Sequence, residues 1–181
     1  MGYLAEVTQG AQRVGEIGFN AGYSAVAMLN NPGVEVVSFD LCRHRSARMA
    51  KRLIDRKYPG RHSLICGDSR TTVPQYAEQH PDVKFGVVFI DGDHSYAGAK
   101  ADLANMRLVS TEETIVVFDD MVPWAKYGQG PVRAWGEAVD AGWVKQEELV
   151  QGGRRVEELK PPGLRAWVRG RYLGVADVDA S

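Results

Sequence analysis

Five short apolar runs, each leading into a glycine or an acidic residue and separated by stretches of helical spacing, restrict this chain to few folds. Arg13 to Gly18, Val34 to Asp40, His62 to Cys66, Phe85 to Ile90 and Thr114 to Phe118 read as strands. The fourth is continuously apolar, as expected where helices cover both faces of a sheet. Gly22 to Asn30, Ser46 to Tyr58, Thr72 to His80, Tyr96 to Leu108 and Gly130 to Ala141 read as the intervening helices. Asn31-Pro32-Gly33 and Pro59-Gly60 stop the first two. In the second, Met49, Leu53 and Ile54 share one face and basic residues the other. After Gly142 the rhythm changes. Trp143 to Val150, the turns at Gly152-Gly153 and Pro161-Pro162-Gly163, and the alternating segment Leu164 to Leu173 read as antiparallel strands. The expected fold is α/β: a doubly wound, mostly parallel seven-stranded sheet with an antiparallel C-terminal edge. One domain spans residues 1–181, with Asp177 to Ser181 expected to fray.

Composition narrows the function classes. A net charge of −1 gives no electrostatic case for nucleic acid as the main partner. The basic residues of Arg43 to Lys57 read as a solvated helix face. No apolar stretch approaches the roughly 20 residues that span a bilayer, and the N-terminus lacks the pattern of a signal peptide. No membrane partner is therefore expected. The two cysteines, Cys42 and Cys66, are not in a metal-type spacing. They read as free thiols in or near the core, consistent with a reducing cytoplasm.

Chemistry concentrates at the carboxyl ends of the strands, where ligands bind in such sheets. Phe89-Ile90-Asp91-Gly92-Asp93-His94-Ser95-Tyr96 and Val116-Val117-Phe118-Asp119-Asp120 would bring four carboxylates to one edge if the strands are neighbours. Like charges at close range need protons, a cation or a reacting partner. An alternative is that Asp91 and Asp93 cap the next helix, with Ser95 helping. At the first strand, Glu16-Ile17-Gly18-Phe19-Asn20-Ala21-Gly22 does not match the G-x-G-x-x-G spacing of a dinucleotide cradle, which argues against NAD or FAD.

The arrangement Glu-x-Gly-x-x-x-Gly resembles the first motif of class I S-adenosylmethionine-dependent methyltransferases. Asp91 to Leu103, the Asp119-Asp120 pair and Gly128 to Trp135 resemble a bacterial small-molecule family that includes macrocin-type sugar and catechol O-methyltransferases. The resemblance spans about Val14 to Trp143. It implies a Rossmann-like methyltransferase fold with S-adenosylmethionine held by Glu16, Gly18, Asn20, Gly22, Asp40, Asp68, Ser69 and Asp91. Asp40 would accept from the ribose hydroxyls; Asp68 and Ser69 would flank the adenine. It further implies Mg²⁺ on Asp91, Asp119 and Asp120, with Asp93 as general base and His94 as a competing one. A cation held by hard oxygens lowers the pKa of a coordinated hydroxyl, and a carboxylate then takes the proton. The implied reaction is methylation of a hydroxyl on a small-molecule acceptor such as a sugar, phenol or natural-product intermediate.

Relatives carry a longer N-terminal region that covers the cofactor, whereas about a dozen residues precede the first strand here. The expectation is a very short lid, compatible with a homodimer in which one subunit covers the other's site. Metal-independent O- or N-methylation, a non-catalytic S-adenosylmethionine-binding module and an α/β oxidoreductase are the competing readings, the last disfavoured by the glycine spacing.

Overall fold

A computed structural model describes residues 2–175. The expected fraying of Asp177 to Ser181 falls outside the described residues. A short helix, α1 (Tyr3–Val7), precedes β1 (Arg13–Ile17), and its amphipathic turn was not legible as a helix. There follow α2 (Tyr23–Leu29), β2 (Glu35–Asp40), α3 (Arg45–Lys57), β3 (His62–Cys66), α4 (Ser69–Gln79), β4 (Val87–Ile90), α5 (Tyr96–Met106), β5 (Ile115–Phe118) and α6 (Gln129–Asp140). The chain then turns antiparallel through β6 (Val144–Gln151), β7 (Arg154–Val156) and β8 (Ala166–Tyr172).

The strands form one sheet in the order β3-β2-β1-β4-β5-β8-β6-β7, so it has eight strands rather than the expected seven. The additional one is β7, a three-residue strand that returns from the Gly152-Gly153 turn along β6. The first five strands are mutually parallel, and β8 joins β5 antiparallel. Ala25, Met28 and Leu29 of α2 and Ala47 and Ile54 of α3 cover one face over Val14, Val36, Phe89 and Val117. Leu103 and Met106 of α5 and Trp135 and Ala138 of α6 cover the other over Phe39, Val88, Val116 and Phe118. Helices on both faces account for the continuously apolar β4, every residue of which is buried.

Two expectations are corrected. Of the three apolar residues on α3, Ile54 alone is buried; Met49 and Leu53 lie in solvent, because the helix rests on its Ala47–Ile54 stripe. Cys42 and Cys66 are not free thiols but form a disulfide. The register makes this so: Asp40 pairs with Cys66 across β2 and β3, which leaves Cys42, two residues on, above its partner. The inference of a reducing compartment rested on free thiols and falls with them. Among the described residues no helix is long and apolar enough to cross a membrane.

Candidate active site at the carboxyl edge of the sheet

The chain winds outward from β1 to β3, then returns to the other side of β1 as β4, so β1 and β4 flank the topological switch point. Register then decides which residues meet. Ile17 lies opposite Phe39 on one side and Ile90 on the other, so Gly18 emerges between Asp40 and Asp91. Gly18 has φ of 96°, and a Cβ there would overlap the Asp91 carbonyl oxygen. Only glycine satisfies both the left-handed backbone and the close approach. Gly22, in the same loop, also has positive φ (75°) and begins α2. Among the described residues the three non-glycine positions with positive φ are Asn20, Cys42 and Asp120, all in loops at this edge. Strained backbone of this kind gathers where function holds it in place.

On the β1–β3 side, most of the expected donor-binding groups already have protein partners. The Asn20 amide donates to Asp40 Oδ2 (2.9 Å) and the Cys42 amide to Oδ1 (2.6 Å), fixing the plane of that carboxylate. Asp68 caps α4 through the Arg70 amide, and the Arg70 guanidinium engages both of its oxygens. The Ser69 hydroxyl donates to Asp102 (2.6 Å). Glu16 is the exception in this group, because its side chain points into the sheet rather than out of the loop. It is fully buried and accepts from Ser24 Oγ and from Ser38 Oγ, whose oxygen also lies 3.0 Å from His62 Nε2. Burial pushes its pKa up to about 7. The same burial pushes His62 down to about 4, and His62 stacks on Phe19.

On the β4–β5 side the expected juxtaposition of carboxylates is present. Ile90 pairs with Phe118, and the Asp119 amide donates to the Ile90 carbonyl (3.0 Å), so Asp91 and Asp119 leave adjacent strands side by side. Asp91, Asp102, Asp119, Asp120 and His94 line one concavity. His94 Nε2 sits 2.7 Å from Asp120 Oδ2 and 3.9 Å from Asp91 Oδ1. Asp120 and Asp91 hold the proton on this imidazole, pushing its pKa up to about 10. Burial, with Asp91 nearby, pushes Asp119 up to about 7, and burial also raises Asp91. One ligand atom each from Asp91, His94 and Asp120 lies within 4.8 Å of the others. The group that geometry assembles thus contains His94, while Asp119 sits behind it, accepting from the Asp120 amide (2.8 Å).

Asp93 is turned toward its own helix. Its Oδ1 accepts from the Ser95 amide (2.8 Å), and its carboxylate packs against Gly98 in the first turn of α5. Ser95 completes the cap by accepting from the Gly98 amide. Trp124 and Tyr127, in the loop after Asp120, donate to the Gly163 and Leu164 carbonyls, and the Tyr127 ring lies 5.8 Å from that of His94. Tyr127 thus flanks the acidic cluster at His94. One carboxylate went unnoticed in the sequence. Asp102 is 1 % exposed. The only signal was an acidic residue on the Ala99–Leu103–Met106 stripe that α5 turns to the core.

A doubly wound sheet with a glycine loop and paired acidic ends at its switch point defines a class I methyltransferase. A family described as a methyltransferase domain matches residues 16–121, from the glycine loop through the Asp119-Asp120 pair. The chain belongs to this family, and is an S-adenosylmethionine-dependent methyltransferase. A search of curated proteins returns no match. Among solved structures, the O-methyltransferase from Bacillus cereus in complex with SAH shares the fold with a TM-score of 0.74 at 19% identity, covering 94% of this chain and 79% of that one. TomG, the O-methyltransferase from Streptomyces achromogenes involved in tomaymycin synthesis, gives 0.69 at 19% identity over 94% and 77%. CalS11, a TDP-rhamnose 3′-O-methyltransferase of calicheamicin biosynthesis, gives 0.67 at 21% over 92% and 75%.

Proposed function

We propose that the chain transfers a methyl group from S-adenosylmethionine to a hydroxyl of a small metabolite, at the cleft between the β1 loop and the β4–β5 ends. The observation that carries this reading is the meeting of Asp91, His94 and Asp120 immediately beside the Gly18 loop. A histidine and carboxylates converging in a cleft at a switch point, with His94 and Asp91 both shifted, are a site by physical criteria. The sugar and natural-product O-methyltransferases that share the fold agree with a small hydroxylated acceptor.

The donor side is assigned as follows. The loop from Gly18 to Gly22 brings backbone close to the ligand. Asp40, with one amide on each oxygen, keeps lone pairs free for the two ribose hydroxyls. Asp68 and Ser69 flank the adenine. Glu16 contributes from below the loop, by holding Ser24 and Ser38.

The acceptor side offers the carboxylate oxygens of Asp91, Asp119 and Asp120, ligands of the kind a hard cation takes. Two carboxylates and an imidazole converge, and the cluster already carries a proton on His94 that answers the negative charge of Asp91 and Asp120. Asp91, Asp119 and Asp120 would hold Mg²⁺. Such a cation, when bound, acidifies a coordinated hydroxyl. The chain's own residues orient the acceptor between Asp120 and Tyr127. In the transfer, the sulfur–methyl bond breaks as the oxygen–methyl bond forms, and the hydroxyl proton passes to Asp93, while His94, already protonated, answers the charge of Asp91 and Asp120. Alignment of oxygen, methyl and sulfur supplies most of the acceleration.

Calorimetry with S-adenosylhomocysteine and with NAD, followed by an acceptor panel with Mg²⁺ or chelator, tests the reading. Donor-analogue binding in the micromolar range and Mg²⁺-stimulated turnover on a hydroxylated acceptor are expected. Binding of NAD alone would sink it. Asp93→Asn tests the proton acceptor and should lose turnover while retaining donor affinity.

A further inference from the structure

Asp102 is a buried carboxylate on a helix stripe that is otherwise apolar. It lies between Ala99 and Met106, each no more than 2 % exposed. Burying an ionisable group costs stability unless its oxygens are satisfied. Here both are used, and by two different loops. Oδ1 accepts from the Ser69 hydroxyl (2.6 Å), at the end of β3. Oδ2 lies over the Gly92–Asp93 backbone after β4, with the Asp93 amide 3.4 Å away. The fit is close on that side: a Cβ on Gly92 would overlap Oδ2. The β3 and β4 loops are not joined by neighbouring strands, since β2 and β1 lie between them in the sheet. Asp102 is therefore a polar strut between two loops that the sheet itself leaves uncoupled.

We propose that Asp102 is a positioning residue for methyl transfer, holding Ser69 on the donor side and the Gly92–Asp93 turn on the acceptor side in one fixed relation. This rests on the assignment of those two loops to donor and acceptor. Asp102, 1 % exposed, acts through the groups it holds. A strut of this kind matters because in-line displacement tolerates little misplacement: about 1 Å can lower the rate ~10²-fold.

The test uses the full chain, with S-adenosylhomocysteine affinity by calorimetry, kcat and KM on a turned-over acceptor, and the thermal midpoint of each variant. Asp102→Asn keeps one oxygen for Ser69 and loses the acceptor facing the Asp93 amide. It should hold donor affinity within about threefold while kcat falls about tenfold or more. Asp102→Ala loses both contacts and should weaken donor affinity as well. Ser69→Ala should weaken donor affinity in the wild-type background and add nothing to it in Asp102→Ala, the non-additivity of a coupled pair. Should Asp102→Ala fail to fold, Asp102→Asn and Ser69→Ala decide alone. Unchanged affinity and unchanged kcat in Asp102→Asn, with only a lowered midpoint, would overturn the positioning role. So would full additivity of the two alanine variants. A wild-type chain that binds no S-adenosylhomocysteine overturns the function itself, a failure recognisable before any variant is made.

Discussion

On the donor side of the sheet edge, from β1 to β3, nearly every polar group is matched to a partner; on the acceptor side, at β4 and β5, acidic groups press on one another. Asp40 holds two amides, Asp68 holds Arg70, and Cys42 is bonded to Cys66. Across Gly18, by contrast, burial raises Asp91 and Asp119, and the His94 imidazole carries the positive charge facing Asp91 and Asp120. The first region has its polar groups fixed by protein partners. The second keeps a local conflict, which the proposed cation or reacting hydroxyl would relieve. Proteins violate local consistency where function requires it and make good the loss elsewhere. Here the well-satisfied donor side is the elsewhere.

The sharpest way to break the contrast is at the seam. Gly18→Ala forces an overlap with the Asp91 carbonyl at a positive φ and should lower unfolding free energy by roughly 3 kcal/mol or more, by the combined effect of strain and overpacking. Denaturant titration reads this directly, and a variant as stable as wild type would show the loop to be adaptable. Next in size is the disulfide. Reducing it, or making Cys42→Ser with Cys66→Ser, opens a closed loop with a sequence separation of 24 and should destabilise by about 3 kcal/mol. Donor affinity should weaken with it while the Asp91–His94–Asp120 cluster stays formed, as cation titration of the reduced protein would report.

The donor side has one fully buried carboxyl, Glu16, and it titrates with a definite sign. Its folded-state pKa of about 7 lies above its ordinary value of 4.5, so the stability it contributes is present below pH 4.5 and is lost as pH rises toward 7. The slope is at most about 1.4 kcal/mol per pH unit. Glu16→Gln should flatten the fall of thermal midpoint across that window, and an unchanged slope would assign it to other groups. The smallest expected effect concerns the conflict itself. Asp119→Asn removes one of the crowded carboxylates and should raise stability by about 1 kcal/mol at pH 8 while lowering turnover. Parallel denaturation and activity measurements check the trade.

How much of this was legible follows from range. Strand ends were readable because apolar runs and the Gly18, Asp40, Asp91 and Asp119 positions are local signals, and parallel winding then dictates where those ends meet. The Cys42–Cys66 bond was not readable, because it needs the β2–β3 register. Glu16 was recognised as a motif residue, but the pleat turns it inward, to Ser24 and Ser38. Asp102 drew no notice, because an acidic residue on a stripe that also contains small residues does not announce its burial. His94 meets an Asp120 whose φ is 61°, a backbone state no composition announces. Met49 and Leu53 misled for the opposite reason, with an apolar pair at helical spacing left in solvent.

The position of β3 at the rim of the sheet gives the disulfide a further meaning. A rim strand has ladder partners on one flank only, and it is the first to peel away when a sheet breathes. The bond sits at the carboxyl end of β3, where peeling would begin for anything entering from the ligand side. It acts as a rivet at the open corner of a hem. Amide exchange along Ser63 to Cys66 in oxidised and reduced protein would show whether the corner lifts when the rivet is drawn.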